Sequence, residues 1–355
     1  MLISGIKNKM KFFSTGAIIL SASLILAGCA TKVDLEKFHP ANLNDADLMP
    51  STDQLKQRRV KVVVFEANAE AVANIGKENE PVLSSVLSRM MGIGPQDDVN
   101  FGGIVTSMVE KTLTQTGVEL VDRNLASDLS KVLKSGDAVT ESSQVLAEFA
   151  ISGAISSANS YARYVQAYSW KDDNGKDHTI AEHYTHSSVV TGSLKLFELS
   201  PVGLFKTFNL YGNASMDDPR RDNEYVRLEL LKRATRNAVD DIVYLLKNTF
   251  APKGYVLESR TNGKSLIFKV SMGGGQSAHA EDKVVIYSVK KKNDTLTGKE
   301  QIDEIQIGEA TISNQITNEE AWVVPKNKDE ALRVRRGDLV RVQYESPSIL
   351  HQIFR

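Results

Sequence analysis

The hydrophobic pattern begins with an uncharged run from Phe12 to Leu26, which holds Ile18, Ile19, Leu20, Leu24, Ile25 and Leu26 and follows Lys7, Lys9 and Lys11. At about 15 residues the run is short of the roughly 20 that a membrane-spanning helix needs, and it matches the apolar core of a signal peptide over residues 1–28. Residues 29–58 are polar and punctuated by His39-Pro40, Asn42, Asn44, Asp45, Asp47 and Pro50, so a flexible tether is expected there. Ordered structure is expected from Val60, where Val62-Val63-Val64-Phe65 reads as a buried strand. Pro81, Gly92, Gly94 and Pro95 suggest a loop with one helical turn over 82–90. Phe101, Ile104, Val105, Met108 and Val109 then share one side of a helical wheel, with Gly117 placed to end that helix. A strand over 118–121 follows, and Leu125, Leu129, Val132 and Leu133 mark a second amphipathic helix.

Two long strand-like stretches, 150–170 and 179–199, are joined through Asp172-Asp173-Asn174-Gly175, whose Asn-Gly pair favours a hairpin turn. A third strand is expected over 204–213. Asp218-Pro219 can open a helix in which Leu228, Leu231, Ala238, Val239, Ile242 and Leu245 face a sheet, and Pro252 and Gly254 stop it. Beyond them short strands are expected at 255–259, 265–270, 283–289, 305–312, 321–324 and 339–344, without a convincing helix between. The expected fold is therefore α+β: a mixed sheet packed by helices over 59–251, then a small all-β, barrel-like domain over 252–355.

Composition narrows the function. Removal of 28 residues leaves 327, enough for about two domains. With 43 Lys and Arg against 44 Asp and Glu, no general attraction to nucleic acid is expected. A single cysteine, Cys29, excludes an intramolecular disulfide and any multi-cysteine metal site. Leu26-Ala27-Gly28-Cys29 resembles the bacterial lipobox, in which the thiol that follows the cleavage point becomes diacylglyceryl-modified. Either Met1 or Met10 can serve as the start of that leader. Several acyl chains, at about 0.8 kcal/mol per buried methylene, would anchor the chain permanently. Ala30 in place of Asp, by resemblance to enterobacterial lipoproteins, favours the outer membrane, with the body facing the periplasm.

No motif points to catalysis. Gly273-Gly274-Gly275 lacks the Lys-Ser/Thr pair of a phosphate loop and reads as a turn. His183 and His186 lie three apart on a strand and point to opposite faces, so with His178 they make a poor zinc site. No Gly-x-Ser-x-Gly elbow is present, so neither an enzyme, a cofactor nor a small-molecule substrate is expected. Arg336-Gly337-Asp338 is accounted for by a turn before a strand, and Lys290-Lys291-Lys292 by a solvated hairpin. The candidate contact surface is the aromatic set Tyr161, Tyr164, Tyr168, Trp170 and Tyr184, since aromatics are enriched at interface centres; packing of these rings on the long helix is the competing reading.

The element order, the lipobox, Val118-Glu119-Leu120-Val121-Asp122-Arg123 and Ala147-Glu148-Phe149-Ala150-Ile151-Ser152-Gly153-Ala154-Ile155 resemble the CsgG family, lipoproteins of curli export, over about 58–250. There the first segment is a strand entering a helix and the second a strand edging the sheet. Gly254-Tyr255-Val256-Leu257, Gly308-Glu309-Ala310 and Gly337-Asp338-Leu339-Val340 resemble the C-terminal module of periplasmic flagellar-assembly proteins, from which Glu281-Asp282 departs. The resemblance implies a ring-like homo-oligomer or an envelope protein complex. Export members of the family form pores, yet here neither face of 161–170 is a clean lipid band, and Glu182, His183 and His186 add polar groups. The expectation is a non-catalytic scaffold of envelope assembly or secretion. A curli-like export pore and an activator of a peptidoglycan synthase are the two roles that compete with it.

Overall fold

The computed structural model describes residues 31–56, 59–69, 74–75, 100–122, 147–293 and 300–346. The leader, the lipobox residues Leu26, Ala27, Gly28 and Cys29, the turn at 82–90 and the helix expected from Leu125 lie outside the described residues. What is described is a mixed α/β structure in which strands predominate, and six of the strands close a barrel.

The first elements are β1 (His39–Ala41) and the short helix α1 (Thr52–Leu55), whose Ser51 hydroxyl accepts from the Gln54 N–H while the Gln54 side chain returns to the Ser51 N–H. Next come β2 (Lys61–Val64), β3 (Asn68–Ala69), β4 (Asn74–Ile75), α2 (Phe101–Thr114) and β5 (Glu119–Leu120). Three long strands follow: β6 (Phe149–Val165), β9 (His183–Leu199) and β10 (Val202–Asp218), with the small hairpin β7 (Tyr168–Lys171) and β8 (Asp177–Ile180) set between β6 and β9. The sheet runs β10-β9-β6-β2-β5, antiparallel among the long strands and parallel where β2 meets β6 and β5. β6 therefore lies inside the sheet and is not its edge, a correction to the resemblance: a strand of alternating small and apolar residues can be covered on both sides.

Helix α3 (Glu224–Asp240) and α4 (Val243–Thr249) follow β10. Asn223, rather than Asp218, caps α3 by accepting from the Val226 N–H, while Asp218 accepts from the Asn223 amide and closes β10. Leu230, Leu231, Ala234, Ala238 and Val239 of α3 share one core with Val105, Val109 and Leu113 of α2 and with Val62 and Val64 of β2. Val63 points the other way, into a smaller cluster with Ala150 and Leu199. Both faces of β2 are thus covered, as its unbroken β-branched run requires. Gly212 is where α3 crosses β10: a Cβ there would stand 2.0 Å from the Ala234 carbonyl oxygen.

The barrel is built from β11 (Lys253–Thr261), β12 (Leu266–Val270), β13 (Lys283–Asn293), β14 (Glu300–Ile316), β15 (Ala321–Pro325) and β16 (Leu339–Val342), with the short helix α5 (Lys328–Ala331) before the last strand. Its order is β11-β12-β15-β14-β13-β16, and β16 returns to β11, so every barrel strand is paired on both sides over at least part of its length. Val256, Phe268, Val270, Val284, Ile286, Ile312, Val323, Val340 and Val342 fill it. β13 and β14 run past the barrel as an arm, much longer than the segments expected at 283–289 and 305–312.

Residues 31–55 correct the expectation of a free tether. β16 pairs only with Lys253–Tyr255 of β11, and β1 fills the rest of that edge by pairing with Ser259–Thr261. Val33, with Leu35 and Phe38, packs on Ile267 and Trp322, which point out of the barrel wall. Arg336 donates its N–H to the Asn44 carbonyl and its guanidinium to Asp45 at 2.6 Å, and Arg335 pairs with Asp47 at 2.8 Å. The Thr31 N–H is bound by the Glu281 carboxylate. A few apolar side chains suffice because they land on a preformed wall.

Candidate functional site

The hairpin β7–β8 arises from its turn. Gly175 sits at φ +76°, where a side chain would be strained, and the Asp172 carboxylate accepts from the Asn174 and Lys176 N–H groups at 3.0 and 2.9 Å. Its other oxygen meets His178 Nε2 at 2.9 Å, and this bond is the main reason the Asp172 carboxyl lies below the usual carboxylate range. The register that follows places Tyr168 opposite Ile180 and Trp170 opposite His178 on one face. Ser169 and Thr179, 2.9 Å apart, and Lys171 and Asp177, 3.1 Å apart, occupy the other.

On the first face the rings form a column. Tyr168 stacks on Trp170 with centroids 5.5 Å apart, and Trp170 on His178 at 5.1 Å. Tyr168 and Trp170 remain 52% and 44% exposed, so the column is an exposed apolar ridge on a two-stranded sheet that pairs with no other strand among the described residues.

The remaining aromatics divide. Tyr164 and Tyr184 face each other across β6 and β9 with ring centroids 5.4 Å apart, and the Tyr164 hydroxyl donates to Glu182 at 2.6 Å, which pushes its pKa up. Tyr161 is 58% exposed on the opposite face of β6. The reading of these rings as core packed on the long helix is replaced by exposure for Tyr161, Tyr164, Tyr168 and Trp170, while Tyr184 is half-buried beside Tyr164. The five residues form a pair, part of a stacked column and a separate ring. His178, Ile180, Asp172 and Glu182 complete the surface; their place follows from the Asn174-Gly175 turn once the two-strand register is counted back from it.

The hairpin lies far from the barrel. Phe149, the first residue of β6, meets Phe250 just before β11, with ring centroids 5.6 Å apart, and β6 extends 17 residues from there, about 50 Å at the usual strand rise. The segment that begins at Thr31 is fixed to the barrel. The hairpin and the N-terminal attachment therefore sit at opposite ends.

The other motifs have structural partners. His186 is buried, with Nε2 2.9 Å from the Arg220 carbonyl oxygen, while His183 lies 3.6 Å from Asp217 on the opposite face. Gly274–Gln276 forms a single 3-10 turn. In Arg336-Gly337-Asp338 the arginine is ion-paired and the aspartate fully buried. Lys291 and Lys292 pair across the arm with Glu300 and Asp303. Among the described residues no three metal-ligating side chains converge, and no helix is long and apolar enough to cross a membrane.

No protein-family model matches the chain, and no curated protein matches it. Solved structures similar to it include a neuraminyllactose-binding hemagglutinin homolog from Helicobacter pylori, at 10% identity and TM-score 0.29, covering 56% of this chain and 90% of that one. The hypothetical protein CT253 from Chlamydia trachomatis has 11% identity and TM-score 0.27, covering 53% and 98%. The PelC dodecamer from Paraburkholderia phytofirmans has 13% identity and TM-score 0.18, covering 54% and 93%. Likeness at this level leaves fold and function to be argued from the chain itself.

Proposed function

We propose that the protein is an outer-membrane lipoprotein, acylated at Cys29, that acts by binding as an oligomeric scaffold or accessory component of envelope assembly or secretion, with an α/β sandwich of CsgG-like type as its N-terminal body. The observation that carries this reading is the exposed Tyr168–Trp170–His178 column, held rigid by Asp172 at the end of the molecule remote from Thr31. Only Ala30 separates Cys29 from Thr31, so a lipid on Cys29 would rest against the barrel, and the hairpin would stand about 50 Å into the periplasm. A ridge of rings presented there suits a protein partner, whose binding covers the apolar edges that the hairpin leaves wet.

The same geometry weighs against an export pore, which would need the β6–β9 end in the membrane that holds the lipid. A peptidoglycan-synthase activator on a long tether loses the tether, since residues 31–55 lie on the barrel. Replacement of both Tyr168 and Trp170 by Ala tests the proposal: the chain should fold as before and lose its high-mass assemblies on native gels of envelope extracts. Assemblies of unchanged size would remove the hairpin from the account, and conductance of the purified protein in planar bilayers would favour the pore.

A further inference from the structure

A cleft of about 470 Å³ opens where the barrel meets the α/β body, and nothing in the scaffold reading uses it. Its walls come from both bodies, and their joint is tight. Gly117, at φ +76°, lies so close to the barrel that a Cβ would be 2.5 Å from the Gln276 carbonyl oxygen. The Asn248 side chain bonds both the N–H and the carbonyl of Tyr344 at 2.8 Å. The cleft is therefore preformed, and its size is that of a small-molecule site.

Its chemistry is one-sided. The floor is apolar, with Phe149, Phe250, Val118 and Ala251, and Phe205 meets Phe149 edge-on at 5.7 Å while remaining 54% exposed at the mouth. Among the described residues the charged ones of the lining are Arg59, Lys206, Lys253 and Arg341, all cationic, with no carboxylate. Arg341 is neutralised by Glu304 at 2.9 Å. Arg59 gives one N–H to the Gly275 carbonyl, and Lys206 lies 5.2 Å from the Phe208 ring centroid. Among the described residues Arg59, Lys206 and Lys253 have no carboxylate partner. Three uncompensated cations around an aromatic floor disfavour a neutral occupant and favour an anion whose body can shed water against the phenyl rings.

We infer that this cleft binds an anionic amphiphile, an acyl or aryl body carrying a single carboxylate or phosphate head. The body lies on Phe149, Phe205 and Phe250, and the head is held between Lys206, Lys253 and Arg59. The surface cations select the charge and the rings select the chain.

Titration calorimetry on the mature chain from residue 29, with Cys29→Ser so that neither leader nor lipid is present and no detergent is needed, tests this with decanoate, decyl phosphate and decanol as probes. Decanoate or decyl phosphate should bind at one site per chain, more weakly as salt is raised, and decanol at least about tenfold more weakly; the better of the two heads identifies a fatty-acid or a phospholipid-type source. Lys206→Ala with Lys253→Ala should cost about tenfold or more in affinity for the anions and leave the decanol value and the thermal midpoint unchanged, because both lysines are exposed. Phe205→Ala should weaken all three probes. Equal affinity for decanol and the anions, anion binding unaltered by the double lysine change, or no binding of any probe would each overturn the assignment.

Discussion

Asp338 offers a quantitative check on how the barrel holds the N-terminal segment. Its side chain is fully buried in the turn that leads into β16; one oxygen accepts from the Arg335 N–H at 2.7 Å, and the other has no hydrogen-bond partner. Burial, helped by the nearby Asp47 charge and opposed by the hydrogen bond and charge of Arg335, pushes its pKa from 3.8 to about 6. Well below pH 4 the carboxyl is protonated in both folded and unfolded chains. Between pH 4 and 6 the unfolded chain ionises first, so stability falls as pH rises, and above pH 6 the loss is complete. A rise of this size corresponds to about 3 kcal/mol at most, and solvent relaxation reduces the expected effect to about 1–3 kcal/mol. Asp338→Asn keeps an acceptor for the Arg335 N–H and removes the charge. In urea denaturation the variant should match the wild type near pH 4 and exceed it by about 1–3 kcal/mol at pH 7.5. The comparison must be between the two proteins, because Asp34, Asp45 and Asp218, whose pKa values are lowered, impose the opposite slope on both. A difference that does not change with pH, or a variant less stable at pH 7.5, would mean that the buried Asp338 charge does not oppose folding.

Further outcomes follow from the same packing. Gly212→Ala should lower stability by about 1–3 kcal/mol or more, read as a lower urea midpoint, since the new methyl meets Ala234 and Ala238 backbone atoms at 2.0 and 2.5 Å; an unchanged midpoint would show that α3 does not press on β10. Tyr168→Ala with Trp170→Ala should change stability by less than about 0.5 kcal/mol, because both rings are exposed; a large loss would return them to the core. Arg335→Ala with Arg336→Ala should speed tryptic cleavage at Lys32 and Lys37 in the released segment while the barrel resists, and an unaltered digestion pattern would mean that β1 and the Val33 cluster hold the segment without these pairs.

Much of the fold is legible in the sequence because it rests on local chemistry. Val62-Val63-Val64 announces a strand covered on both faces, Asn174-Gly175 sets the hairpin, Gly117 closes the turn that follows α2, which itself ends at Thr114 with Gln115 as its cap, and the closely spaced apolar segments after Pro252 foretell a barrel. What is not legible depends on partners remote in the chain. Val33, Leu35 and Phe38 show no periodicity and gain meaning only beside Ile267 and Trp322, at least 229 residues away. β10 reads as ending at Asn213, since its outward side is Asn213, Ser215 and Asp217 and its inward side the small Gly212 and Ala214, neither of which looks like a strand until β9 supplies the pairing. The arm of β13 and β14 reads as shorter than it is for a similar reason: its charges are stabilised by cross-strand pairs such as Lys291–Glu300, which composition alone reads as loop. Of the candidate surface, the residue types are legible and their grouping is not, because His178 and Ile180 join Tyr168 and Trp170 only through the register of the turn.

Mooring of the body through its barrel end is tested by mass spectrometry of the N-terminal peptide of the native membrane-extracted product. The expected product is a mature chain that begins at Cys29 and carries a diacylglyceryl thioether and an amide-linked acyl chain. An unmodified Cys29, or a retained leader, would contradict it.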